Sequence, residues 1–414
     1  MQLENAFESD RRGALTGVEH VEGTLRDAVV LRAPSTIRAR ARLLFERAAE
    51  GRSSHFRVDP SRLDEVAQRV AEHAPSRPCR LIHGRMRHFD CGKRARTREI
   101  ASALALLSAR DRARAWVDAV VPSVFLDAGA GPTWAYEEGG TRYTRSEGIA
   151  VASLAMFREG KLSGDRTPMV CDAAGLLALT ARSLAEAFQV SADNPLVGLE
   201  GRLALMHALG RALAARGGPD ARPALLFDLA NAAAVNGRID AQNVLALVLG
   251  ELGEIWPPHL LVAGVNVGDV WRHPALGTGV DGLLPFHKLS QWLTYSLVEP
   301  FLEGGLELRS LDQLTPLAEY RNGGLLIDMG VISLEDPDLA RGRHEIGDPL
   351  IVEWRALTVS LLDELRPLLR ARLGQEESAG ALEAATWSAG RAVARERRPD
   401  GGSPLSIASD GTVF

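Results

Sequence analysis

Leu350, Trp354, Leu357, Leu361, Leu365 and Leu368 recur at spacings of three and four residues. An α-helix brings side chains at those intervals onto one stripe, so this run constrains the fold more than any other feature. Pro367 falls inside it. A proline in a helix interior removes a hydrogen bond and clashes with the preceding turn, which predicts a kink or a stop there. The pattern returns over 382–397, 223–234 and 241–252. Asp172 can cap a helix carrying Leu176, Leu177, Thr180, Leu184 and Phe188 on one face. Asp193-Asn194-Pro195 has the form of a helix start, with Leu196, Leu199, Leu203 and Met206 inward and Gly217-Gly218 as the end. Strand signals are short: Arg80-Leu81-Ile82 and Leu325-Leu326-Ile327. Neither regular alternating strands nor repeated strand–helix units occur. The expectation is an all-α or nearly all-α, multi-helix chain. It divides into an N-terminal helical region, 1–95, and a helical catalytic region, 96–414, separate or as one continuous domain.

Charge and cysteine content exclude several classes of function. A net charge of -5 argues against a nucleic-acid binder, which would be basic. No apolar run is long enough for a bilayer span, so no membrane role is expected. The first residues lack a secretory signal, and three scattered cysteines form no disulfide framework. A cytoplasmic protein is expected. Cys79, His83, His88 and Cys91 have metal-ligating side chains, but their spacing is not a usual zinc pattern. No Walker, nucleophile-elbow, zincin or dinucleotide motif is present. No metal and no cofactor is therefore expected.

The last third breaks local rules. His287 and Lys288 open a helical pattern (Leu289, Trp292, Leu293, Ser296), where the helix dipole disfavours cations. An anion docked at that helix start would relieve the cost. Glu319, in Leu317-Ala318-Glu319-Tyr320-Arg321, is read as lying near the negative end of another helix, also a costly placement. Together these suggest a pocket for an anionic substrate beside a strained carboxylate.

Each candidate also has a structural alternative. Glu319 is the first choice for catalysis, or it pairs with Arg321. Asp127 and Asp269 are its rivals, and Asp269 could instead hold Arg272. Arg272, His273, His287 and Lys288 are candidate phosphate contacts or an interhelical network. Trp134, Tyr136 and Tyr320 could stack on a planar leaving group or form pocket wall and core. Glu147 could bind ribose hydroxyls or cap its helix. Arg85, Arg87 and His88 form a second basic cluster or a solvated or ion-paired segment, and the run 93–98 reads as a solvated face, not a nucleic-acid site.

Longer strings carry a family resemblance: VPSVFLDAGAGPTWAY (121–136), YTRSEGIAVASLAMF (143–157), FQVSADNPLVGLEGR (188–202), GDVWRHP (268–274), PFHKLSQWLTYSLVEP (285–300), LAEYRNGGLLIDMGV (317–331), VEWRALTVSLLDEL (352–365) and SDGTVF (409–414). The chain resembles the uracil-catabolism family of fungi and bacteria. More distantly it resembles the queuosine 5′-phosphate N-ribohydrolases, all-helical proteins similar to helix-hairpin-helix DNA glycosylases. In that second family Asp replaces Glu in the segment matching Glu319-Tyr320-Arg321. The resemblance implies an N-glycoside hydrolase that cleaves a ribosylurea 5-phosphate to urea and ribose 5-phosphate. It casts Glu319, Asp127 or Asp269 as the catalytic carboxylate. Trp134, Glu147, Arg272, His273, His287, Lys288, Tyr320 and Arg321 would bind substrate. The implied partner is a small phosphorylated riboside, with association among uracil-catabolism enzymes. A non-catalytic binder of the nucleotide intermediate and a ring-opening amidohydrolase are the alternatives.

Overall fold

The computed structural model describes residues 18–74, 84–127, 129–131, 133–374 and 379–408. Arg80–Ile82, Cys79, His83 and the last six residues lie outside them, so the expectations placed there stand as they were. The described residues are mostly helical, with small sheets of two or three strands around the helices. No described helix is long and apolar enough to cross a membrane.

The leucine stripe forms the longest described helix, Pro349–Leu373. Pro349 occupies the first turn, where a missing N–H costs nothing, and Gly374 at φ 128 ends the helix. Pro367 does not stop it. Burying each large apolar side chain of the stripe contributes roughly 1.5–3 kcal/mol. Leu350, Trp354, Leu357, Leu361 and Leu365 join Phe45, Val66, Leu325 and Leu382 in one hydrophobic cluster. That cluster ties together helices Pro34–Ala49, Leu63–His73, Tyr320–Asp328 and Ala379–Arg397. A larger cluster gathers helices Ala109–Phe125, Arg145–Arg158, Leu199–Gly217, Ala241–Leu252 and Lys288–Ser296.

Two glycines set how closely the first group packs. A Cβ on Gly323 would lie 2.7 Å from Thr358 Oγ1 and 2.8 Å from the Trp354 ring. One on Gly390 would lie 2.5 Å from the Arg321 carbonyl oxygen. Helix 320–328 is thus pressed between the 349–373 and 379–397 helices.

Several local expectations are corrected. Leu325-Leu326-Ile327 is helix, because it belongs to the buried face of Tyr320–Asp328. The run from Asp172 is two helices, Ala173–Ala178 and Ala181–Ala187, because Thr180 makes its own capping box with Ser183. Asp193-Asn194-Pro195 is a turn: the Asn194 side chain bonds both the N–H and the carbonyl of Ala135, and the helix waits until Leu199. Arg96 is not solvated. It is buried, with its guanidinium on Glu138 and on the carbonyls of Phe89 and Cys91.

Candidate active site

A cavity of about 370 Å³ opens where the two large clusters meet. One wall is the first turn of helix 145–158, with Arg145, Ser146 and Glu147. Lys288 and Trp292 come from helix 288–296, and Glu319, Tyr320 and Arg321 from the start of helix 320–328. Trp387 and Arg391, one turn apart on helix 379–397, close the remaining side with His88 and Asp127.

Glu319 stands at the N-terminus of its helix, not near a C-terminus. It has extended backbone (φ -116, ψ 157), Oε1 accepts the Asn322 N–H at 2.7 Å, and Oε2 accepts the Arg321 N–H at 2.9 Å. The expectation failed because the glycines after it read as a helix end, whereas both lie within the helix. The correction removes one argument: the nearby helix end is positive and gives no help to a cationic centre. Burial pushes the Glu319 carboxyl above its ordinary value, and the two N–H bonds and the Lys288 charge pull it back only in part. A carboxylate has about four acceptor sites, so two bonds leave capacity for a substrate or water.

Glu383, which the sequence did not single out, lies behind Glu319. Its Oε1 accepts the Leu317 N–H at 3.1 Å and its Oε2 accepts Asn322 Nδ2 at 3.0 Å. Burial pushes its pKa up to about 7 against the pull of Arg366 and these bonds. Asn322 therefore joins the buried Glu383 to the half-buried Glu319.

Asp127 faces the cavity in an ion pair with fully buried Arg85, at 2.5 Å, and accepts the Ser146 hydroxyl at 3.0 Å. Glu147 pairs with Arg391 and is not a side-chain cap. Arg87 and Arg391 stack on Trp387 at 5.3 and 5.4 Å. His88 meets Trp292 and Trp387 edge-on at 6.0 and 5.9 Å. The planar wall is therefore Trp387, Trp292 and Tyr320. The spacing of Trp387 and Arg391, four residues apart on one helix, was the available signal for it.

Five residues that the family resemblance implied lie outside this cavity, and so does Tyr136, which is core. Asp269 holds Arg355 in a two-pronged ion pair and accepts the Trp271 indole N–H at 2.7 Å and the Lys288 backbone N–H at 3.0 Å. Burial would raise its pKa, but the Arg355 charge and these bonds hold it well below the carboxylate range. The anion at the start of helix 288–296 is thus the protein's own. His287 is buried with its Nε2 on the Leu31 carbonyl at 2.9 Å, and burial lowers its pKa, so it is neutral. Arg272 pairs with Glu19, not Asp269. His273 turns toward Glu353. Trp134 is core, its indole N–H donating to the Phe188 carbonyl at 3.0 Å. Lys288 alone of the four proposed phosphate contacts reaches the cavity.

His55, His273 and Glu353 offer the one group of metal-type ligands among the described residues. Their hydrogen bonds point to another role. His273 Nδ1 accepts the Ala275 N–H at 3.2 Å, which places the ring proton on Nε2, the atom 3.6 Å from Glu353. A nitrogen carrying a proton has no lone pair for a metal. His55 and Ser53 complete the set around Glu353. Against burial, the nearby His273 ring and bonds from His55 and Ser53 hold its pKa down to about 2. Burial also raises the thiol pKa of Cys91, to about 11, and of Cys171, so neither is a thiolate nucleophile.

Residues 30–414 match the family described as "Protein of unknown function (DUF1688)". The chain is 37% identical over 394 residues to "Protein urg3" of Schizosaccharomyces pombe, covering 91% of this chain and 96% of that protein. It is 35% identical over 426 residues to "Uracil catabolism protein 4" of Lachancea kluyveri, covering 92% and 97%.

Proposed function

We propose, from the premise that this chain belongs to the DUF1688 family, that it serves uracil catabolism as an N-glycoside hydrolase acting on a ribosylurea 5-phosphate. The relative named for uracil catabolism supports the pathway. One observation carries the reaction: Glu319 is a half-buried carboxyl with raised pKa, fixed by two backbone bonds, facing a cavity walled by tryptophans and arginines.

A raised pKa suits a carboxylate to accept a proton from water near neutrality. In this scheme Glu319 takes a proton as the water oxygen bonds to C1′ of the ribose. The C1′–N bond breaks, its electron pair stays on the urea nitrogen, and that nitrogen takes a proton from solvent while Glu319 releases the one it took. The products are urea and ribose 5-phosphate. Negative charge on Glu319 also favours the oxocarbenium-like centre. The tryptophan wall suits the planar urea, and Asp127 and Glu147 lie within the same cavity as acceptors for ribose hydroxyls.

The test is to incubate the purified full chain with ribosylurea 5-phosphate and assay free urea and ribose 5-phosphate. Stoichiometric release of both is expected. A folded protein that binds the compound and releases neither product sinks the hydrolase reading.

A further inference from the structure

The cavity's positive charge collects at one end. Arg145 donates from Nη2 to the Asp400 carbonyl at 2.8 Å, and Arg321 from Nη1 to the Gly401 carbonyl at 2.6 Å. Both arginines are thereby held against the segment that follows helix 379–397, and Arg391 lies on that helix. Arg321 is only 4% exposed, yet it lines the cavity, and among the described residues only its Nη1 meets a protein acceptor, leaving Nε and Nη2 for a ligand. Arg395 stands at the exposed rim, against Gly401. Its pKa is lowered chiefly by the Arg391 charge, then by partial burial and by Arg145, with Arg321 adding less. Arg395 thus feels the other three guanidiniums.

Like charges gathered in this way repel, and among the described residues the acids at this end do not match them in number. The four arginines face Glu147 and Asp400, with Glu319 also acting on Arg321. Arg398 nearby is matched by Asp328 in its own bidentate pair. Arg145 adds a second cost. It sits in the first turn of a 14-residue helix, where a cation is disfavoured, with left-handed backbone at φ 55. A phosphate monoester, which carries about -1.5 to -2 near pH 7, would supply negative charge where the arginines gather. Guanidinium forks also suit its oxygens geometrically.

We propose that Arg145, Arg321 and Arg391, with Arg395 at the rim, form the subsite for the substrate's terminal phosphate monoester, in place of Arg272, His273 and His287. The assignment rests on the reading of this cavity as a site for a ribose 5-phosphate compound. It puts the phosphate at the arginine end and leaves Glu319 and Lys288 for the sugar.

The test is calorimetric titration of the full chain with ribose 5-phosphate and with ribose, independent of turnover. The native protein should bind ribose 5-phosphate at least about tenfold more tightly than ribose. Arg391→Gln and Arg145→Gly should each weaken ribose 5-phosphate binding by about ten- to a hundredfold and leave ribose binding unchanged. Arg145→Gly suits a left-handed position, so its melting temperature should hold even where loss of the Glu147 pair unsettles Arg391→Gln. Selective loss of ribose 5-phosphate affinity in folded Arg145→Gly supports the subsite even if no N-glycoside is ever hydrolysed. Undiminished affinity in that variant, or equal native affinity for the two sugars, overturns it even if hydrolysis is found.

Discussion

Arg355 grips Asp269 with both arms of its guanidinium, Nη1 to Oδ1 at 2.9 Å and Nη2 to Oδ2 at 2.7 Å, directly beneath the first N–H of helix 288–296. The pair is nearly closed to solvent: Arg355 is 1% exposed and Asp269 12%. It anchors the helix that carries Lys288 and Trp292 into the cavity. Breaking a buried pair by removing one partner leaves an uncompensated charge. Asp269→Asn should therefore lower the unfolding free energy by about 3–5 kcal/mol. Arg272→Ala, which breaks an exposed pair with Glu19, should cost no more than about 1 kcal/mol. Urea denaturation of the two variants compares them directly, and equal losses would rule out this anchoring role.

Glu383 gives stability a pH dependence of a particular sign. Its folded pKa, about 7, lies above the ordinary carboxyl value of 4.5. Between those values the folded chain holds a proton that the unfolded chain has lost. Stability therefore falls as pH rises from about 4.5 through 7, by up to about 3 kcal/mol from this group. Glu383→Gln should flatten that part of the stability profile. Arg366 and Glu319, the charged groups facing Glu383, stay in place. A profile as steep in the variant as in the native protein would assign the slope to Glu319, Glu299 or Asp118, which also have raised pKa.

Glu353 works in the opposite direction. Its folded pKa, about 2, lies below 4.5, so its contribution is fully present above about 4.5 and is lost as pH falls toward 2. The loss should approach about 3 kcal/mol. Glu353→Gln should make the chain less stable at neutral pH and less sensitive to acid between pH 4.5 and 2. Acid titration of the melting temperature measures both.

Periodicity alone made the helices over 241–252, 349–373 and 379–397 legible, because a buried stripe is written at intervals of three and four. Helix ends were less legible. Asp193-Asn194-Pro195 has the chemistry of a helix start, but Asn194 spends its side chain on a strand 59 residues away. The same limit applied to the site. His287 and Lys288 do break the dipole rule, yet the compensating anion is Asp269, 19 residues upstream. Tertiary partners of this kind leave no local trace. Arg145 breaks the same rule without so complete a remedy, and like Lys288 it faces the cavity.

Gly390 controls the approach of the two helices that carry Glu319 and Arg391. A methyl group there would lie 2.5 Å from the Arg321 carbonyl oxygen, which is backbone and cannot swing away. Gly390→Ala should therefore cost about 1–3 kcal/mol despite the better helix propensity of alanine. Gly250→Ala, where a Cβ meets nothing within 4 Å, should be neutral or stabilising in the same melt. A Gly390→Ala variant as stable as Gly250→Ala would show that the two helices pack less closely than described.

Glu319→Gln tests catalysis and capping at once. Glutamine keeps the shape and one carbonyl acceptor but loses the charge and one of the two bonds to the Arg321 and Asn322 N–H groups. The weaker cap should cost about 0.5–2 kcal/mol of stability, leaving a folded protein. Ligand binding should persist, because the cavity's arginines and tryptophans are untouched. Turnover should fall a hundredfold or more, about 2.7–4 kcal/mol in the barrier, as for loss of one preorganised electrostatic group. Glu319→Asp should keep part of the activity. Lys288 supplies an independent check. Its charge lowers the Glu319 pKa, so Lys288→Met should raise it and move the acidic limb of the pH–rate profile to higher pH. Lys161→Met, which removes only an exposed partner of Glu159, should leave that limb where it is. If Glu319→Gln turns over normally, the proton acceptor is Asp127, which shares the cavity; a pH limb unmoved by Lys288→Met would point the same way.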